Sequence, residues 1–277
     1  MEAQGSPDGS EVLPADIGQP APTRDQLRRH LLAGRLAGHV ATSRASNLGN
    51  ARRCADRDEH FTFGLDWEGG WDYPSVVALM ADRVGIDPDL RRTDGPDTID
   101  VDRTLDALDA VREQLRRVVA EQGCVLLASG HPSGMMAVAL EVAPALAARG
   151  CAIATPAYGF SYASSAGHRE IAYLAGVACL TDGSSLEHTH SATPMRAMLT
   201  ALGEDRRPLP DLVVADHGFA GAAGQSGITT VAFADCNDPG LFVGEAEQLV
   251  DVVVPIDDNV APHLYAPVAA YLLDGIR

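Results

Sequence analysis

Four apolar runs in the second half of the chain each stop at a small polar cluster, and this pattern constrains the fold more than any other feature. Cys124–Ala128 runs into Ser129-Gly130-His131-Pro132-Ser133-Gly134, and Leu212–Ala215 into Asp216-His217-Gly218. Thr230–Ala234 leads to Asp235-Cys236-Asn237-Asp238, and Val252–Ile256 to Asp257-Asp258-Asn259. A short apolar run bounded by turn residues and followed by a helical stretch reads as a buried parallel strand. Open α/β sheets bind ligands outside the carboxyl ends of their strands, so the four tips are expected to converge on one crevice. Carboxylates, amides and imidazoles brought together suit a divalent metal or acid–base chemistry. The chain therefore reads as an enzyme.

Between the runs the apolar spacing turns helical. From Gly123 onward the expected order is strand 124–128, helix 134–149 and strand 151–155. One or two strands follow over 171–180, broken at Gly176, and then helix 193–202. Strands 212–215 and 229–234, helix 239–249, strand 251–256 and helix 262–274 complete the pattern. Alternating strands and helices predict an α/β fold with a mostly parallel, doubly wound, Rossmann-like sheet. Residues 123–277 are its expected catalytic core. Residues 23–122 read as a helical cap: Thr23 is a plausible N-cap before Leu27, Leu31, Leu32 and Leu36, and Pro74 opens a helix with Val76, Val77 and Met80 buried. A third helix near 101–121 places Leu105, Leu108, Val111, Leu115 and Val118 on one face. Residues 1–22, rich in Gly, Pro, Ser and acidic groups, read as a disordered tail.

Charge and cysteine usage exclude several partners. A formal net charge of −17 repels nucleic acid and anionic membrane at long range. None of the 21 basic residues is lysine, so Schiff-base and phosphate-loop lysines are absent. An anionic substrate must be held by Arg, His, backbone N–H groups or a metal. The five cysteines have no metal-binding spacing and read as core residues in a reducing cytosol. No stretch reaches the roughly 18 apolar residues of a membrane span. The expected setting is cytoplasmic, with a small-molecule partner, no nucleic acid, no membrane and a homodimer as a possible assembly.

The polar clusters supply the site candidates. The glycine-flanked turn Ser129, Gly130, His131, Ser133, Gly134 aims N–H groups at an anion, against the plainer reading of a turn that needs glycine for steric reasons. His188 and His190 share one face of an extended segment, suiting two ligands of one metal or a ligand and an acid. Ser191 and Arg196 follow within reach of a phosphate oxygen. Asp216, Asp235, Asn237, Asp238, Asp257 and Asp258 are candidate metal ligands, Asp238 also being well placed as a helix N-cap. Oxygen ligands favour Mg²⁺ or Mn²⁺, and added histidine admits Zn²⁺. His217 is a candidate to orient water.

The clusters Ser129–Gly134, His188–Arg196, Val214–Gly224, Phe233–Pro239 and Pro255–Tyr265 together resemble an actinobacterial family of similar length labelled simply phosphatase. The resemblance runs from Thr23 onward and implies phosphomonoester hydrolysis. Ser43–Leu48 replaces a more polar run, Phe219 stands where Trp is usual, and the tail is extra. A fainter likeness links the strand-tip arrangement to metal-dependent carboxylate phosphatases and D-glutamate cyclases. The chain has no C-x₅-R loop, no strand-end D-x-D followed by Thr or Val, and no R-H-G. Metal-activated water attacking phosphorus survives as the expected mechanism. The competing readings are a lyase, cyclase or amide hydrolase on a small carboxylate, and a non-catalytic metabolite- or metal-binding protein.

Overall fold

Apolar runs with no polar alternation belong in the middle of a sheet, and Leu212–Asp216 and Thr230–Ala234 are buried at every position. The computed structural model describes residues 21–164 and 167–276. The tail expected over 1–22 therefore lies outside the described residues, apart from Ala21 and Pro22.

The first hundred residues carry α1 (Arg24–Ala33), β1 (Gly38–Ser43), α2 (Arg44–Ala55), α3 (Glu59–Thr62), α4 (Tyr73–Arg83), β2 (Pro96–Ile99) and α5 (Val101–Ala120). Next come β3 (Cys124–Ala128), α6 (Met136–Ala148), β4 (Ala152–Ile153), β5 (Ser161–Ser164), β6 (Gly167–Leu174), β7 (Val177–Thr181), β8 (Leu186–Glu187) and α7 (Thr193–Glu204). The chain closes with β9 (Leu212–Asp216), α8 (His217–Gln225), β10 (Thr230–Ala234), α9 (Pro239–Ala246), β11 (Val252–Pro255), a 3₁₀ turn at Pro262–Tyr265 and α10 (Ala266–Leu272).

The central sheet is mixed and mostly parallel, in the order β11-β10-β9-β3-β7-β6-β5, with β4 also on β3 and β8 on β7. Pairs from β11 across to β7 and β4 are parallel; β5, β6 and β8 add antiparallel pairs. The stretch expected to break at Gly176 is the β6–β7 hairpin, turned where that glycine takes φ +87°. The chain runs from β3 to β7 on one side of β3 and then returns to β9, β10 and β11 on the other. The order thus reverses between β3 and β9. Before the sheet, β1 and β2 form a separate antiparallel pair that helical spacing did not indicate.

Local chemistry accounts for the helix starts. Thr23 and Gln26 complete a capping box on α1, Asp72 caps α4 ahead of Pro74, and the Asp100 carboxylate accepts from the Asp102 and Arg103 N–H groups on α5. The apolar stripe of α5 is fully buried, and the α1, α5 and sheet residues join one hydrophobic core. Emptying one such position, as in Leu108→Ala, costs about 2–5 kcal/mol. The cysteines are free, and four of the five are buried. Among the described residues no helix is long and apolar enough to cross a membrane.

Candidate functional site

Asp216 ends β9 and does not cap the helix that follows, since no side-chain cap bond forms there. Its carboxylate turns instead to the neighbouring strand tip. It accepts the Ser129 hydroxyl at 2.6 Å and the Gly130 N–H, and lies 3.2 Å from His217 Nδ1. Both oxygens are thereby used, one to lock the turn after β3 and the other to orient an imidazole as well. His217 sits at φ +45°, a left-handed backbone that a non-glycine residue rarely adopts. Its Nε2 lies 3.4 Å from Asp258 and 3.5 Å from Asp238. Burial alone would depress its pKa, but Asp238 and Asp216 overrule burial and hold it well above the usual histidine value.

A histidine wall faces this ring. His190 stacks on His217 with centroids 4.6 Å apart, and His188 lies 5.1 Å from the same ring. His131 meets His188 edge-on at 4.7 Å, while its buried Nδ1 has no hydrogen-bond partner. Burial first, and then repulsion from His217, lowers the pKa of His188 to about 4 and of His190 to about 3, and lowers that of His131. At neutral pH these rings carry lone pairs and no charge. His190 Nδ1 is 3.0 Å from the carbonyl of His60, whose own ring stacks on His190 at 4.0 Å. An Nδ1–H donated to that carbonyl leaves Nε2 free as a ligand. Close packing sets this register: a Cβ at Gly218 would lie 2.3 Å from the Ser191 carbonyl, so only glycine lets α8 meet that backbone.

The carboxylate wall is deeper. Asp235, at the tip of β10, accepts from the Thr42 hydroxyl and the Cys236 N–H, both at 2.6 Å. Asp257, after β11, accepts from the Asn259 and Ala41 N–H groups. Asp238 accepts from the Asp235 N–H at 3.1 Å. Burial, then repulsion from Asp257 and Asp238, pushes Asp235 up to about 7. Burial also raises Asp257 and, joined by Asp238, raises Asp258 well above the carboxylate range. Asp238 moves the other way: the adjacent His217 prevails over burial and keeps it low. Among the described residues no arginine forms an ion pair with any of these five carboxylates, and His217 pairs with three of them.

That donor set fits a divalent cation. Ligand atoms lie within 4.8 Å of one another in three groups: His188, His190 and His217; His217, Asp238 and Asp258; Asp235, Asp257 and Asp258. Oxygen and imidazole donors in this number are how proteins hold Mg²⁺, Mn²⁺ or Zn²⁺.

The structure thus gathers His131, His188, His190, His217, Ser129, Gly130 and all five aspartates at one centre. Asp216 stands outside the three groups, with its oxygens taken. The backbone carbonyl of Asn237 accepts from the Asn50 side-chain amide at 2.8 Å. Ser133 is exposed with no hydrogen bond among the described residues, and Gly134 gives room for the Asp258 carbonyl, 2.2 Å from where its Cβ would be. Ser191 and Arg196 line a cavity of about 830 Å³ together with His188, His190, Arg57, His60, Tyr162 and Arg169. Trp67, Trp71, Arg91 and Arg92 do not line it; Trp71 bonds Glu247, and the two arginines pair with nearby aspartates. Sequence reasoning missed His60 and Thr42. Neither sits in a motif, and each reaches the centre only by folding back from the N-terminal region.

A protein named Phosphatase SCO2771, from Streptomyces coelicolor, is 44% identical over 254 residues, covering 91% of this chain and 95% of that one. The family described as Phosphatase matches residues 22–277, and the chain belongs to that family.

Proposed function

We propose that this chain hydrolyses phosphomonoesters of small metabolites with a divalent metal ion, Mg²⁺ or Mn²⁺ first and Zn²⁺ as the alternative. The observation that carries the reading is a centre of five buried carboxylates and four histidines, among the described residues without a paired arginine, beside a cavity lined by three arginines. Family membership and the name of the Streptomyces relative support phosphatase chemistry. We read the sheet as doubly wound, with the crevice at the order reversal between β3 and β9, and residues 23–122 as its cap. A cytoplasmic setting and a small-molecule substrate belong to the same reading, and the net charge of −17 disfavours nucleic acid as the partner.

His188, His190 and His217 with Asp235, Asp238, Asp257 and Asp258 would hold the metal. A divalent ion there would act as a Lewis acid on the phosphoryl group and on the attacking water. The remaining work falls to side chains. Asp216 keeps His217 in one orientation and ties it to the turn at Ser129 and Gly130. Arg196, whose guanidinium makes one hydrogen bond among the described residues, to the Gly64 carbonyl, has N–H groups left for phosphate oxygens, with Ser191 beside it. His60, exposed in the cavity and outside the metal groups, would offer a ring N–H to the leaving oxygen, although burial lowers its pKa.

The test is phosphate release from metal-stripped protein across sugar, nucleotide and amino-alcohol phosphates, with Mg²⁺, Mn²⁺ or Zn²⁺ added separately. Release restored by metal and lost in His190→Ala is expected. Folded protein that releases no phosphate with any metal overturns the reading and favours a carboxylate substrate instead.

A further inference from the structure

The three ligand groups are not equivalent. His188, His190 and His217 share no residue with Asp235, Asp257 and Asp258. The first trio offers only nitrogen, the second only oxygen. Borderline metals such as Zn²⁺ favour imidazole, whereas Mg²⁺ and Mn²⁺ favour carboxylate oxygen. Access differs too: His188 and His190 line the cavity, and none of the aspartate trio does.

A second observation points to a ligand beside Asp258. Asp258 is only 6% exposed, yet its carboxylate accepts no hydrogen bond among the described residues, its one polar contact being His217 Nε2 at 3.4 Å. Its oxygen belongs both to the all-oxygen group and to the group with His217 and Asp238. His131, 7% exposed, leaves Nδ1 with no partner while packed against His188 and His217. A buried carboxylate that accepts no hydrogen bond is costly, and a cation beside Asp258 lowers that cost, whereas His131 belongs to none of the ligand groups.

We infer that the centre has two metal positions of unlike chemistry: a nitrogen-rich one at His188, His190 and His217 that meets substrate, and an oxygen-only one at Asp235, Asp257 and Asp258 that is closed to it. Asp258 links the two. The nitrogen-rich ion serves the reaction, and the oxygen-only ion neutralises the buried carboxylates and holds the β10 and β11 tips together. The inference rests on the metal-dependent reading above.

Metal content separates the possibilities. Metal-stripped full-length protein is reloaded with Mn²⁺ or Co²⁺ and desalted, and bound metal is counted by elemental analysis and native mass spectrometry. Two ions per chain are expected in the wild type and one in Asp235→Asn. The visible absorption of Co²⁺ in nitrogen ligation should persist in Asp235→Asn and vanish in His188→Ala/His190→Ala, which should also keep one ion. If Asp235→Asn does not fold, Thr42→Val, which removes a hydrogen bond to Asp235, should weaken binding of one ion at least tenfold and leave the Co²⁺ spectrum unchanged. One ion in the wild type, lost alike in both variants, overturns the two-position inference and leaves the metal-dependent reading standing. No bound metal overturns both.

Discussion

The two walls of the site are built in opposite ways. The carboxylate wall sits on tips of adjacent parallel strands, β10 and β11, so its residues are buried and their neighbours are set by sheet register. The histidine wall gathers rings from the turn after β3, the segment after β8, the start of α8 and, through His60, the N-terminal region. Its members grade from exposed His188 to buried His217. Strand tips make a buried cluster of carboxylates. Loops bring neutral ligands to the edge of a cavity where a substrate can reach them. His217 is the hinge of the comparison, hydrogen-bonded on one face and ring-stacked on the other.

Removing the hinge should do the most damage. His217→Ala is expected to lower phosphate release by about a hundredfold or more, because altering the outer partners of metal ligands already costs 10–100-fold. A loss under threefold in steady-state kinetics would mean that the walls work independently. Asp216→Asn comes next: it keeps the shape but weakens the grip on His217, and metal affinity should fall by about 10–100-fold by calorimetric titration. Unchanged affinity would show that the turn, and not Asp216, orients the ring.

The walls should also answer pH with opposite signs. Asp235 is raised to about 7 in the folded state, so its contribution is present below the ordinary carboxylate value and is lost as pH rises through about 7. Metal-stripped wild type should therefore lose stability relative to Asp235→Asn between about pH 4 and 7, by a few kcal/mol at about 1.4 kcal/mol per unit. His190 is lowered to about 3, so its contribution is present above the ordinary histidine value and is lost as pH falls through about 3. Wild type should lose stability relative to His190→Gln on acidification. Denaturant melts at several pH values read both; parallel curves would break the comparison. The smallest effect is expected from Thr42→Val, which deletes one bond to a carboxylate and should cost about 1.5–3 kcal/mol of apo stability by the same melts.

Much of the carboxylate wall was legible in advance. Asp235, Asp257 and Asp258 stand directly after apolar runs, and a strand buried on both faces has one place to put its end. The His188–His190 spacing was legible as a pair sharing a face. The role of Asp216 was not, because whether a strand-end carboxylate faces a metal, a helix or a neighbouring turn depends on the strand beside it, and β3 lies 87 residues away along the chain. Asn237 looked equal to its neighbours, and what the structure adds is that its backbone carbonyl accepts from the Asn50 side chain. The helical reading of residues 23–122 passed over β1 and β2, since short strands with mixed exposure carry little apolar signal.

By itself the sequence determined the parallel strands of the central sheet and most helices, the polar clusters at the strand ends, and a net charge of −17 without lysine. Those follow from local periodicity and composition, which every window of residues carries. Only the tertiary structure decided which carboxylates stay free, which histidines stack, and that His60 and Thr42 from the N-terminal region complete both walls. Such choices depend on contacts across more than a hundred residues, where burial and hydrogen-bond competition, and not local preference, set the outcome.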